Sequence, residues 1–91
     1  MSMGTTLRLG THWAMLQTIV QAFEKEAGLP LSSSPDEDWL RTVLTEYNKA
    51  NNTNIAYSHH ENYGGFYFSY STPEEARLLG AVRADYGLGG D

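Results

Sequence analysis

The residues of this chain that could do chemistry are few, and their spacing argues against catalysis. His59 and His60 are adjacent, and His12 is the third of three histidines. Neighbours on an extended strand point to opposite faces, so the pair cannot readily close on one metal ion. There is no cysteine, which excludes thiolate ligation, thiol catalysis and a disulfide framework. No Gly-x-Ser-x-Gly turn is present to expose a serine nucleophile. Gly64-Gly65 and the glycines at 87, 89 and 90 do not open a helix after a strand, and no Gly-Lys-Ser or Gly-Lys-Thr follows them, so nothing here reads as a phosphate loop. Acidic groups recur at Asp36, Glu37 and Asp38 and at Glu74-Glu75. Both sets follow helix-start signals, where exposure keeps carboxylates solvated rather than poised for proton transfer. The expectation is a protein that is not an enzyme and takes neither metal nor cofactor.

Binding is the class that remains. Tyr57, Tyr63, Tyr67 and Tyr70 crowd into one stretch, and tyrosine buries area at low entropic cost while keeping a polar handle. Eleven acids against six bases give a formal charge of −5, which disfavours a grip on nucleic-acid phosphates or anionic lipid and favours a basic protein partner. Two helices and a hairpin also occur in winged helix-turn-helix regulators of DNA. Here the second helix offers only Arg41 and Lys49 among acids and the hairpin carries no lysine or arginine, so DNA binding ranks third.

The element that must position these residues runs over 54–71, where apolar and polar residues alternate around Gly64-Gly65. This pattern predicts an antiparallel β-hairpin. A loop over 61–64 places Ile55 opposite Tyr70, Tyr57 opposite Phe68 and His59 opposite Phe66 on one almost purely apolar face. Ala56, Ser58, Tyr67 and Ser69 then occupy the other face, leaving Tyr63 at the tip and Tyr67 outside as interface candidates together with His60. A lone hairpin is marginal in water, so helices must cover its apolar face.

Three helices are expected. Leu9, Trp13, Leu16, Val20, Phe23 and Ala27 form one stripe, with Met15, Ile19 and Ala22 beside it, predicting a helix over 11–27 that Gly28 and Pro30 terminate. In Ser34-Pro35-Asp36-Glu37, Ser34 reads as the cap, Pro35 as a first-turn residue and Glu37 as the partner that reaches back. The second helix then presents Leu40, Val43, Leu44 and Tyr47, and the run of asparagines at 48, 51, 52 and 54 ends it near residue 50 or 51. Thr72-Pro73-Glu74-Glu75 repeats the cap pattern for a third helix with Leu78, Leu79, Val82 and Tyr86 inward, and Gly80 weakens its middle. Asp36 and Asp38 in one first turn and Glu74 in the other are the acidic candidates for meeting a basic partner.

Ninety-one residues with 41% hydrophobic content make one small domain, with ends at 1–8 and 87–91 expected to be flexible. The fold class is α+β in the order α-α-β-β-α. No run approaches the roughly 20 apolar residues of a membrane span and no basic leader precedes an apolar core, so a soluble, cytoplasmic chain is expected. In profile it resembles compact inhibitors of the phage or immunity type, directed at a larger basic-surfaced or nucleic-acid-handling protein. The alternative is a structural or regulatory homodimer formed by edge pairing of the hairpin.

Overall fold

The computed structural model describes residues 5–10, 13–59 and 65–86. They form strand β1 (Thr5–Gly10), a 3₁₀ turn (Trp13–Met15), helices α1 (Leu16–Ala27) and α2 (Glu37–Asn51), strands β2 (Ala56–His59) and β3 (Phe66–Tyr70), and helix α3 (Pro73–Tyr86). The expected order is present, with one strand added in front. The sheet is antiparallel throughout in the order β1-β3-β2. One of its faces meets the helices.

The hairpin register is the expected one: Tyr57 pairs with Phe68 and His59 with Phe66. Alternation therefore sends Phe66 and Phe68 into the core and leaves Ala56 and Ser58 exposed. Ile55 is buried just ahead of β2, and Tyr57 and Tyr70 pack half-buried against the same cluster. Phe23 from α1 joins the layers, with its ring centroid 4.9 Å from that of Phe68 and 5.1 Å from that of Tyr47.

The N-terminal segment departs from expectation. Thr5 to Arg8 are not a flexible end but the first four residues of a strand that pairs with β3, Leu7 opposite Phe68 and Arg8 opposite Tyr67. Leu9 belongs to this strand rather than to a helical stripe. The pairing advances two residues on β1 for one on β3 between Arg8 and Gly10, a bulge around the buried Leu9. Trp13 also leaves the expected stripe. It lies in the 3₁₀ turn, 53% exposed, with its ring 4.6 Å from His59 and 5.2 Å from Phe66. The helix proper starts only at Leu16, and the adjacent stripe of Ile19 and Ala22 is buried. Its width is explained by α1 packing against both α2 and α3.

The helix ends follow local chemistry. Gly28 takes φ +75°, and Gly28 N–H donates to Lys25 O at 3.2 Å while Leu29 N–H donates to Glu24 O at 2.8 Å, the paired bonds of a Schellman motif. Helix α2 starts later than expected: Asp36, not Ser34, caps it, its Oδ1 accepting from Trp39 N at 2.8 Å. The negative charge of Asp36 also suits the positive end of the helix dipole. At its other end Asn52 is left-handed at φ 57°, and the side-chain amide of Asn48 bonds Ile55 through both N–H and C=O, at 2.9 Å each. The cap of α3 is as expected. Thr72 Oγ1 accepts from Glu75 N at 3.1 Å, and the buried Glu75 carboxylate accepts from Thr72 N at 3.3 Å, Ser71 N at 2.9 Å and Asn54 N at 2.8 Å. Those amide donors, Ser71 and Asn54 foremost, hold its carboxyl below the usual range.

A candidate acidic groove beside Trp39

The connection from α1 to α2 and the first turns of α2 enclose an open groove of about 780 Å³, lined by Leu31, Pro35, Asp36, Asp38, Trp39 and Thr42 with the serines between them. Leu31 is 62% exposed and Trp39 38%, the two large apolar side chains this region leaves to solvent. No lysine or arginine lines it.

Glu24 shapes this groove from behind. It is fully buried on α1, yet its carboxylate accepts from Ser32 N at 3.0 Å, from Ser32 Oγ and from Trp39 Nε1 at 2.8 Å. Burial alone would raise its pKa; the bonds from Ser32 and Trp39 outweigh that and hold it below the usual glutamate value. Gln21 Nε2 adds a bond to Ser32 O at 2.8 Å. The segment after Gly28 is thus fixed to α1 through Glu24 and Gln21, and the indole of Trp39 through the same Glu24 carboxylate.

The third acid of this turn faces elsewhere. Tyr57 Oη donates to Glu37 Oε2 at 2.5 Å, and the Arg41 guanidinium lies 3.7 Å from the same carboxylate and 4.9 Å from the centre of the Tyr57 ring. Burial and the Glu37 carboxylate push the Tyr57 phenol up. Glu37 therefore joins α2 to β2 and is withdrawn from the groove.

The candidates named from sequence separate. Asp36 and Asp38 meet in the groove. Glu74 does not join them: it sits exposed in the first turn of α3 and pairs with Arg77. Tyr67 lies half-buried on the outer sheet face between its strand partners Arg8 and Ser58, and it is engaged in interactions there. His60 and Tyr63 lie outside the described residues. The sequence reading missed Leu31, Trp39 and Glu24. Glu24 carried a signal, since it falls four residues after Val20 on the apolar stripe of α1, where a charge needs a buried partner.

Among the described residues no group of three or more His, Asp or Glu converges as metal ligands, and no helix is long and apolar enough to cross a membrane. Comparisons with protein-family models, with curated proteins and with solved structures found no match.

Proposed function

We propose that this chain is a small acidic protein-binding module that inhibits a larger, basic-surfaced protein in the cytoplasm, with a nucleic-acid-handling enzyme as the class of target whose charge it complements. The observation that carries the reading is the groove in which exposed Trp39 and Leu31 stand beside Asp36 and Asp38. Aromatic and aliphatic anchors supply buried area at an interface, and the carboxylates supply complementarity and steering toward a positive surface. The formal charge of −5 favours the same partner and disfavours nucleic acid itself. Binding, not catalysis, is the mode of action.

The test is capture of the partner from the native host, identification, and titration of the two purified proteins. Asp38→Lys is expected to weaken the complex at least tenfold, whereas Glu74→Lys, outside the groove, leaves it within about twofold. Equal affinity for Asp38→Lys and the native chain would refute the site.

A second reading has its own support. The β3 edge is covered by β1, so edge pairing of the hairpin can occur only at β2, and Ala56–His59 holds no lysine, arginine, acid or proline. A second copy added there would extend the sheet across a two-fold axis. Light scattering over a dilution series separates the readings, since a mass that stays monomeric at high concentration removes the dimer.

A further inference from the structure

We propose that the groove is a docking site for an arginine side chain of the partner, stacked on the outer face of the Trp39 indole and flanked by Asp36 and Asp38. This rests on the acidic-module reading above and deepens it by naming the anchor.

The ring is prepared for a cation. Its Nε1–H is bound to the ionised, fully buried Glu24 carboxylate at 2.8 Å, which fixes the plane of the indole and draws electron density toward its face. Because Glu24 is buried, its negative field is screened less than that of a surface charge. The same carboxylate holds Ser32, so the wall of the groove is ordered before any ligand arrives, and little ordering entropy is lost on binding.

The charge balance favours a cation despite the helix end. The N-terminus of α2 contributes about half a positive charge. Against it stand the full charges of Asp36 and Asp38, and Glu37 does not need to be counted because Tyr57 and Arg41 hold it on the other side. Among the groove-lining residues no basic side chain competes.

Arginine fits better than lysine. A guanidinium is planar and weakly hydrated, so it stacks on an aromatic face while its edge donates to carboxylates, and its methylene stem can lie along Leu31 and Pro35. The molecule already contains this arrangement in closed form. Arg41 lies over Tyr57 with Glu37 beside it, and the groove repeats the aromatic face and the carboxylates without the arginine.

The test uses the full chain in a Trp13→Phe background, so that Trp39 is the sole indole, titrated with a short arginine-containing peptide and with the same peptide carrying citrulline, which keeps the shape and loses the charge. The arginine peptide is expected to change Trp39 emission and to bind about tenfold or more tightly than its citrulline counterpart. Trp39→Leu, checked for folding by circular dichroism, is expected to abolish the difference. Thr42→Arg, which leaves the indole in place and sets a cation at the groove, is expected to do the same. Equal affinity for the two peptides, or an arginine preference that survives both variants, overturns the proposal. Should Asp38→Lys still release the natural partner while that preference is absent, the arginine platform fails and the acidic module stands.

Discussion

Trp39 donates its indole Nε1–H at 2.8 Å to Glu24, a carboxylate on the neighbouring helix with no exposed surface. Ser32 supplies the remaining donors, N–H to Oε1 and Oγ–H to Oε2. Among the described residues every partner of this side chain is a donor, so an amide cannot replace it without turning an N–H toward an N–H. Glu24→Gln is expected to destabilise the fold by about 2–4 kcal/mol, because buried donors lose a charged acceptor. Urea unfolding followed by far-UV circular dichroism measures this, and a loss under about 0.5 kcal/mol would show that the network contributes little.

Leu9 offers a second test, in a segment that looks dispensable. It is buried within β1, at the bulge beside Gly10, so Leu9→Ala leaves a cavity under the sheet. The expected loss is about 2–4 kcal/mol. If the first ten residues were a free end, the same substitution would leave the unfolding midpoint unchanged.

The contrast between the hairpin and β1 explains what could be read from sequence. The hairpin register was legible because only one pairing puts Phe66, Phe68 and Tyr57 on a common face, and a slip of one residue mixes the faces. The core faces of α2 and α3 were legible through their helical period. Strand β1 was not: Thr5 to Gly10 has one pair of alternating leucines, and its place in the sheet depends on a non-local partner more than fifty residues away. The groove was half legible. Asp36 and Asp38 showed as helix-start acids, but Trp39 lies outside the apolar face of Leu40, Val43, Leu44 and Tyr47, and its position depends on Glu24 from another helix. The pattern Ser34-Pro35-Asp36-Glu37 fits two helix starts, since both Ser34 and Asp36 are cap residues, and the structure takes the later one.

Acid should unfold the protein through its buried carboxylates. Glu24 and Glu75 titrate below their ordinary values, as does Asp85, which the Glu26 carboxyl and Lys25 stabilise. For a depressed folded pKa the stabilisation is complete above the unfolded value, near 4, and disappears as pH falls through the folded one. Glu26 acts in the opposite sense: its bond to Asp85 raises it, so its share is present at low pH and lost as pH rises through the folded value. With three groups against one, the urea midpoint is expected to fall below about pH 4. Glu75→Gln should be less stable at pH 7 and show a shallower acid decline.

Gly80 sits exposed in the middle of α3, and a Cβ built on it meets nothing within 4 Å. Close packing therefore does not require the glycine. Gly80→Ala is expected to stabilise by about 0.5–1 kcal/mol through helix propensity and reduced freedom of the unfolded chain. Thermal unfolding reads this directly, and a lowered midpoint would show that the glycine serves some other need.

Two tyrosines should respond oppositely to loss of the hydroxyl. Tyr57 Oη donates to Glu37, so Tyr57→Phe leaves that carboxylate one donor short and is expected to cost about 1 kcal/mol. Tyr47 is fully buried, and its Oη has no hydrogen-bond partner among the described residues. Tyr47→Phe therefore removes an unsatisfied polar atom and keeps the ring against Phe23, giving a change between zero and about 1 kcal/mol of added stability. Both phenols are pushed up, Tyr47 and Tyr57 alike chiefly by burial. A raised folded pKa means stabilisation that is complete below the unfolded value near 10 and lost as pH climbs above it, because only the unfolded chain ionises freely there. An ultraviolet titration should show these two tyrosines ionising together with unfolding, and Tyr47→Phe should extend the stable range toward alkali. Ionisation of all tyrosines near pH 10 with the fold intact would show that neither the burial of Tyr47 nor the partial burial of Tyr57 restrains its phenol.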